Sequence, residues 1–210
     1  MSNPWKEITL SDYENHMKLD TVRQLQAMNS MMKDQLYRYP ISTAMILGIA
    51  GGNGLNHVDP GRLKAVYGVD INPMYLEQCT KRYPELEGVF HTLETDLIGE
   101  ISHLPTTELV VANLLIEYIG CEQFLRVLGQ TSPVYVTCAI QVNTNEEFVS
   151  HSPYLHAFDR LSEVHYSINE TGLSEAMEEA GYQLLLKEEI SLPNGKKLVR
   201  LDFQHKWRSL

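Results

Sequence analysis

The stretch that decides the fold is residues 46–54, which read Ile-Leu-Gly-Ile-Ala-Gly-Gly-Asn-Gly. An apolar run ends there in a glycine-rich turn, and a second apolar run at 65–69 ends in the acid Asp70. That order is typical of a nucleoside pocket at the carboxyl ends of two neighbouring parallel strands. Glycine lets backbone N–H groups approach a ligand closely, and a carboxylate can accept hydrogen bonds from both hydroxyls of a ribose. The stretch therefore predicts a nucleoside site and leaves the identity of the nucleoside open.

The composition excludes several classes of partner. The chain has 210 residues, of which 43% are hydrophobic and 21% charged, as in an ordinary folded protein with a sizeable core. Its formal net charge of −10 disfavours nucleic acid, which needs a basic face, but is compatible with a small-molecule substrate. No apolar run approaches the ~20 residues of a membrane span, and no signal peptide is recognisable. We expect a cytoplasmic protein that binds neither nucleic acid nor membrane.

The three cysteines, Cys79, Cys121 and Cys138, are odd in number and widely spaced. They form neither a Cys-x-x-Cys pair nor a zinc-ligand pattern. We therefore expect reduced thiols, as in cytosolic proteins, and no metal site.

Strand and helix patterns alternate through the middle of the chain. Apolar segments predict strands at 43–49, 65–69, 88–94, 108–112 and 134–140. Helices are predicted at 9–38, 53–63, 73–81, 122–129 and from 169 or 171 to 180. Strands that are joined through helices make right-handed crossovers and a parallel sheet.

The end of the chain departs from this alternation. Residues 182–192 and 197–203 are extended, and Pro193-Asn194-Gly195 between them is typical of a hairpin turn. The last strand should therefore run antiparallel to the rest.

Polar residues follow three successive strands: Asp70 ends the second, Asp96 follows the third, and Asn113 ends the fourth. Together with the glycine-rich turn and the terminal hairpin, this ordered set resembles the class I S-adenosylmethionine-dependent methyltransferases across about residues 43–203. The resemblance implies an α/β fold: a Rossmann-like, doubly wound, mostly parallel sheet of seven strands, with an antiparallel terminal hairpin strand and helices on both faces.

The same resemblance implies the domain organisation. Residues 41–210 would form the cofactor-binding methyltransferase domain, and residues 1–40 a helical cap over its cleft. The methionine-rich stripe of the cap is typical of core packing, with a flexible lid as the alternative. Residues 143–168 lack clear periodicity and would form a lid-like insertion, or else hold a short helix at 153–161 that packs on the core edge.

The glycine-rich turn departs from the family pattern, which is acid-x-Gly-x-Gly-x-Gly. Gly52 and Gly54 match the last two glycines, Ala50 replaces the first, and Gly48 stands where the acid is usual. In the family that acid helps to orient the methionine end of the cofactor, which Gly48 cannot do with a side chain. Another group must hold that end, or the cofactor affinity is weaker, or the binding function has been lost.

The resemblance assigns the cofactor site residue by residue. Asp70 would hold the ribose hydroxyls, Ile71 would lie against adenine, and Asn113 would lie near the methionine moiety. Asp96 would accept from the adenine amino group, and the Leu97 N–H would reach a ring nitrogen. The cofactor would then be S-adenosylmethionine, with S-adenosylhomocysteine as the product. From the sequence alone, either acid could instead cap a turn or a helix.

The acceptor side gives weaker signals, because methyl transfer mainly needs a positioned nucleophile and needs a base only for a hydroxyl or a protonated amine. Glu117 and Tyr118 follow the fourth strand and are the catalytic candidates, although Glu117 could also be a first-turn acid that favours the helix dipole. Residues of the cap and of the 143–168 segment are candidates for the substrate site or lid: Tyr13, His16, His151, His156 and Tyr166.

Two other functions stay open. A nicotinamide-dependent oxidoreductase would need Gly-x-Gly-x-x-Gly, and His57 stands at the last position. A methyltransferase-like fold could also serve as a non-catalytic binding or regulatory protein, which the departures at Gly48 and Ala50 favour. Residues 113–116 read Asn-Leu-Leu-Ile and lack the Asn/Asp-Pro-Pro-aromatic motif of base-methylating enzymes, which favours a small-molecule acceptor.

Overall fold

One mixed β-sheet forms the centre of the molecule. The structure is a computed structural model, and it describes residues 3–142 and 149–208. Within these residues the sheet has seven strands: β1 (Thr43–Leu47), β2 (Ala65–Asp70), β3 (Phe90–Glu94), β4 (Leu109–Asn113), β5 (Tyr135–Val142), β6 (Tyr182–Ser191) and β7 (Lys197–His205). Their order across the sheet is β3-β2-β1-β4-β5-β7-β6. The pairs from β3 to β5 are parallel, and β7 runs antiparallel to both neighbours, which confirms the predicted sheet.

The described residues also form six α-helices: α1 (Leu10–Lys18), α2 (Gln24–Tyr37), α3 (Pro73–Arg82), α4 (Ile116–Ile119), α5 (Cys121–Thr131) and α6 (Glu170–Glu179). Side chains cap their first turns where the sequence offers suitable residues. Thr9 accepts from the Asp12 N–H before α1, and Asn72 accepts from the Met74 N–H before α3. No helix in the described part of the chain is long and apolar enough to cross a membrane.

Alternate residues of the central strands enter two different cores. On β1, Ala44 and Ile46 pack with α2 and α3 on one face of the sheet, whereas Met45 and Leu47 pack with α5 and α6 on the other. Strands that are covered on both faces read as continuous apolar runs, which explains the sequence pattern. The predicted placement of helices on both faces is confirmed.

The helix predicted at 53–63 does not form. Only one 3-10 turn, Leu55–His57, follows the glycine-rich turn. Gly54 before it has a φ of +99°, and the Asp59 carboxylate accepts from the Gly61 N–H, which fixes a second turn where the helix would continue. Helix α2 covers this part of the sheet instead.

The helix predicted at 9–38 is two helices. Between α1 and α2, Arg23 lies in the left-handed region at a φ of +53°. The N–H groups of Val22 and Arg23 both donate to the Leu19 carbonyl, which closes a tight turn that breaks the helix. The boundary of the cap at residue 40 stays a prediction, since α2 packs in the core of the sheet.

Part of the predicted lid, residues 143–148, lies outside the described residues. The remainder holds a 3-10 helix, Leu155–Glu163, which overlaps the short helix considered at 153–161. Phe158 and Leu161 are buried in a small cluster with Ile8. This helix packs on the edge of the core, and a lid function stays a prediction.

Candidate functional site

The carboxyl ends of β1, β2 and β4 open into a cleft of about 680 Å³, a volume that includes some open solvent. Most of the residues predicted for the cofactor line it: Gly48, Ala50, Asp70, Ile71, Asp96, Leu97 and Asn113. Tyr13 of the predicted cap and the catalytic candidate Tyr118 also line it. Gly52 and Gly54 are not among the residues that line the cleft. A Cβ on Gly52 would lie 2.9 Å from Leu55, and one on Gly54 would lie 2.6 Å from Met32. These two glycines therefore allow close packing within the loop, and their contact with a cofactor stays a prediction.

The loop after β1 turns on residues in the left-handed region of backbone space. Gly48, Ala50 and Gly52 have φ values of +65°, +49° and +83°. Ala50 is the unusual member, because a side chain in this region costs about 1 kcal/mol relative to glycine. Its N–H donates to Asp70 Oδ2 over 2.9 Å, and its carbonyl accepts from the Cys79 thiol over 3.1 Å. Two hydrogen bonds thus hold an alanine in a turn that would suit glycine.

Asp70 is 8% exposed at the end of β2. Its Oδ1 accepts from the Asn72 N–H and its Oδ2 from the Ala50 N–H, each over 2.9 Å. Burial raises the pKa of this carboxyl, and the backbone N–H groups offset part of the rise. Because each carboxylate oxygen has further lone-pair capacity and the residue lines the cleft, Asp70 can also accept hydrogen bonds from a ligand.

Asp96 and Leu97 form the turn after β3 at the edge of the cleft. Asp96 is exposed, and its Oδ1 accepts from the Ile98 N–H over 3.1 Å. Leu97 is buried, and its carbonyl accepts from the Gln123 side chain. Asp96 therefore both caps a turn and lines the cleft, so the two roles considered for this acid are compatible.

Asn113, at the end of β4, forms a reciprocal amide pair with Gln35 of α2. Asn113 Nδ2 donates to Gln35 Oε1 over 2.9 Å, and Gln35 Nε2 donates to Asn113 Oδ1 over 3.0 Å. Gln35 is fully buried and also donates to Thr137 Oγ1 over 2.9 Å. The pair fixes the Asn113 side chain beside the cleft. Gln35 is absent from the predicted site, although a polar residue within a methionine-rich stripe is a signal that could have identified it.

A second cavity of about 630 Å³, again with some open solvent, adjoins the cleft. The two share Trp5, Tyr13, Leu114 and Tyr118. The Trp5 ring meets Tyr118 edge-on at 4.9 Å and Tyr13 at 5.9 Å between ring centroids, so aromatic rings line both cavities where they adjoin. The remaining lining residues come from α1, α2, α4, β5 and the chain after residue 148: His16, Met17, Gln24, Glu117, Gln141, Val149, Ser150, Phe158, Leu161 and His165.

Glu117 is buried beside the second cavity, with 5% of the residue exposed. Its Oε1 accepts from the Gln141 N–H over 2.7 Å. Its Oε2 is buried and has no hydrogen-bond partner among the residues that the structure describes. Burial raises the pKa of this carboxyl to about 7. A buried carboxyl that titrates near neutrality beside a cavity is a candidate for proton transfer.

His16 is the predicted histidine that lines a cavity. It is buried, its Nδ1 lies 2.8 Å from Ser152 Oγ, and its ring packs on Phe158. Burial, together with the nearby charge of Lys196, lowers the pKa of His16. The structure thus places His16 in the second cavity as a neutral polar group at neutral pH.

The remaining substrate candidates lie elsewhere. His151 and His156 are exposed and Tyr166 is 47% exposed, and these three residues line neither cavity. The Tyr166 N–H donates to the Glu117 carbonyl over 2.7 Å, so its backbone alone reaches the site. Within the described ranges, no group of His, Cys, Asp and Glu is arranged to hold a metal ion.

The N-terminal segment is tied to the cleft by polar contacts. Glu14 of α1 pairs with Arg82 of α3, and Arg82 Nη1 also donates to the Gly51 carbonyl over 3.1 Å. Asn72 Nδ2 donates to the Trp5 carbonyl over 3.0 Å. The segment predicted as a cap therefore spans the glycine-rich loop and supplies lining residues to both cavities.

No protein-family model matches the chain, and no curated protein matches it. Among solved structures it is similar to the N-methyltransferase NodS from Bradyrhizobium japonicum WM9 in complex with S-adenosyl-L-homocysteine, with a TM-score of 0.65 and 11% identity over 97% of this chain and 99% of that chain. It is also similar to geranyl diphosphate methyltransferase in complex with SAM, with a TM-score of 0.65 and 12% identity over 87% of this chain and 86% of that chain. For the [4+2]-cyclase SpnF, the TM-score is 0.62 and the identity is 11%, over 87% of this chain and 82% of that chain. The chain has the fold of the class I S-adenosylmethionine-dependent methyltransferases.

Proposed function

We propose that this protein is an S-adenosylmethionine-dependent methyltransferase that acts on a small molecule and releases S-adenosylhomocysteine. The observation that supports the proposal most directly is that two cavities adjoin and share four lining residues. One holds the Asp70 carboxylate at the end of β2, and the other holds the buried carboxyl of Glu117. Direct transfer needs the donor and the acceptor to be bound side by side, which two adjoining cavities permit.

The cleft fits the adenosine part of the cofactor. Asp70 has lone-pair capacity for the ribose hydroxyls, and Ile71 and Leu97 offer apolar surface for adenine. Asp96 keeps one carboxylate oxygen for the adenine amino group, since the Ile98 N–H uses Oδ1. When it is bound, S-adenosylmethionine supplies an activated methyl group on its sulfonium sulfur.

The methionine end needs a group other than the acid that the family has at position 48. A Cβ on Gly48 would lie 3.0 Å from Leu115 Cδ1, and the φ of +65° disfavours any side chain there. A smaller cavity shares Gly48 and Asn113 with the cleft and is also lined by Glu14. We infer that Asn113, held by Gln35, takes over the orienting role.

The second cavity supports a small-molecule acceptor. The cap and the chain at 149–165 enclose it, and its lining mixes aromatic rings with amide, imidazole and carboxyl groups. Such a site suits a compact molecule with few polar groups. The net charge of −10 disfavours a nucleic-acid acceptor. A cytoplasmic location accords with the composition and belongs to the same proposal.

The alternative functions are a nicotinamide-dependent oxidoreductase and a non-catalytic binding protein. An oxidoreductase of this kind needs a third glycine where its first helix packs closely on the strand, and His57 stands at that position. The His57 side chain instead contacts α2, with Nε2 2.9 Å from Asn29 Oδ1. A non-catalytic binding protein is the stronger alternative, because a shared fold does not fix a shared activity. Cofactor binding followed by turnover separates these functions.

Calorimetric titration with S-adenosylmethionine, S-adenosylhomocysteine and NAD tests the proposal. We expect micromolar binding of both sulfur nucleosides and no binding of NAD. Asp70→Ala should weaken S-adenosylhomocysteine binding at least tenfold, since hydrogen bonds to a charged group are lost. The control is Asp159→Ala, which removes an exposed acid outside both cavities and should leave the affinity unchanged. Absence of sulfur-nucleoside binding would refute the proposal, and NAD binding would favour the oxidoreductase.

A further inference from the structure

Glu117 Oε2 is the buried side-chain oxygen that the described residues leave without a hydrogen-bond partner. The other oxygen of the same carboxyl is satisfied by the Gln141 N–H. Native structures pair almost all buried polar atoms, because an unpaired one keeps the full desolvation penalty. Since Glu117 lines the second cavity, a ligand atom in that cavity is a natural partner for Oε2.

The rest of the lining indicates what kind of ligand atom this is. None of the described residues that line the second cavity is Lys or Arg, so no protein cation in the lining balances a negative charge on Glu117. The buried Lys196 is close enough to lower the pKa of His16 but is not part of this lining. Trp5, Tyr13 and Phe158 present aromatic rings to the same space. A carboxylate among aromatic faces is the environment that recognises an ammonium group.

The inference rests on the methyl transfer proposed above. We propose that the methyl acceptor is an amine whose protonated nitrogen binds Glu117 Oε2, and that Glu117 is the base that prepares this nitrogen for methylation.

The reaction balances without a further reactant. Glu117 Oε2 takes one proton from the ammonium, and the electron pair of the broken N–H bond becomes the lone pair of the neutral amine. That lone pair forms the N–C bond to the methyl carbon while the C–S bond breaks and its electron pair stays on sulfur. The methylated nitrogen carries the positive charge, and the proton on Glu117 leaves to solvent.

The proton affinity of Glu117 matches an amine better than an alcohol. Its pKa of about 7 lies about three units below that of an alkylammonium, which is roughly 10 as for lysine. A hydroxyl acceptor loses its proton far less readily. A base that titrates near the working pH is also the most effective proton acceptor.

The binding test uses the full chain saturated with S-adenosylhomocysteine and pairs of compounds of equal shape, such as 2-phenylethylamine and 2-phenylethanol. We expect the amine to bind at least tenfold more tightly than the alcohol, and only the amine to be methylated when S-adenosylmethionine is supplied. Glu117→Gln should remove the preference for the amine and leave S-adenosylhomocysteine affinity within twofold. The control, Glu122→Gln, changes an exposed acid at the start of α5 and should alter neither quantity.

Infrared difference spectra of the wild-type protein give a second measurement that does not depend on a variant folding. The amine should convert a buried carboxylic acid band to a carboxylate band, whereas the alcohol should not. Failure to bind S-adenosylhomocysteine would overturn the methyltransferase proposal itself. Binding of S-adenosylhomocysteine with no preference for the amine, or with no change in the carboxyl band, would overturn the role of Glu117 alone.

Discussion

Arg200 and Asp202 of β7 form a bidentate ion pair inside the molecule, with Arg200 Nε 2.8 Å from Asp202 Oδ1 and Nη2 2.6 Å from Oδ2. Their side chains are 2% and 0% exposed. Asp202 also accepts from the Thr137 hydroxyl, and Thr137 accepts in turn from Gln35. Because Gln35 pairs with Asn113, a continuous polar network joins this buried ion pair to the cleft that Asn113 lines.

Replacing Arg200 with methionine should lower the free energy of unfolding by about 3–5 kcal/mol, because Asp202 would stay buried without its counter-charge. The matched control is Lys197→Met on the same strand. Its side chain is 44% exposed and pairs with Glu189 at the surface, so the loss there should stay below about 1 kcal/mol. Urea unfolding followed by circular dichroism measures the free energy of unfolding of both variants. Equal losses of stability in Arg200→Met and Lys197→Met would contradict the prediction.

Gln35→Met keeps the length of the side chain and removes its three amide hydrogen bonds, two with Asn113 and one with Thr137. We expect the free energy of unfolding to fall by about 1–3 kcal/mol, since Thr137 and Asn113 lose buried partners. We also expect several-fold weaker S-adenosylhomocysteine binding, because the Asn113 side chain is no longer held. Gln26→Met, on the exposed face of α2, is the control for both measurements. Unchanged affinity in a destabilised Gln35 variant would show that Asn113 does not need this partner to bind the cofactor.

Placing at position 48 the acid that is usual in class I S-adenosylmethionine-dependent methyltransferases should not strengthen binding of S-adenosylhomocysteine. Any side chain there meets Leu115 and adopts a φ of +65°, so Gly48→Asp and Gly48→Ala should each cost about 1–3 kcal/mol of stability. Comparing the two variants separates the effect of the carboxylate from that of the added Cβ. Calorimetry with S-adenosylhomocysteine decides the point: a Gly48→Asp protein that binds more tightly than the wild type would refute the prediction.

Much of the fold was predictable because its signals are local. The seven predicted strands, and the helices at 73–81, 122–129 and 169–180, lie within two residues of the observed elements. Apolar runs of strand length, Asn-Gly turns and helix caps need no knowledge of distant residues. The helix predicted at 53–63 was wrong because tertiary structure decides that segment: α2 already covers its place on the sheet.

The candidate site also has a part that local sequence signals predict and a part that they do not. Asp70, Asp96 and Asn113 could be predicted to line one cleft because each ends or follows a strand, and the carboxyl ends of parallel strands meet at one edge of a sheet. The partner of the Asn113 side chain, Gln35, lies far away along the chain, and nothing in the local pattern connects these two residues. The second cavity is lined by residues of α1, α2, α4, β5 and the 149–165 segment, together with Trp5 and Leu114. No single stretch of sequence therefore predicts it.

The pH dependence of stability should reveal the buried carboxyl of Glu117. Its pKa is about 7 in the folded protein against an ordinary 4.5, so the folded state retains a proton that the unfolded state releases between these values. By linkage, the stabilising contribution of Glu117 is fully present below about pH 4.5 and is lost as the pH rises through 7, a change of about 3 kcal/mol. Glu117→Gln does not titrate, so it lacks this decline.

Urea unfolding of both proteins from pH 4.5 to pH 8 checks this expectation. His16 and His165 are present in both proteins, and Tyr118 and Cys138, whose pKa values are raised by burial, stay protonated over this range. The stability of the wild type relative to Glu117→Gln should fall as the pH rises, and two parallel curves would contradict the raised pKa. If Glu117 binds an ammonium as proposed, a saturating amine should flatten the wild-type curve, because the bound cation stabilises the carboxylate and lowers its pKa.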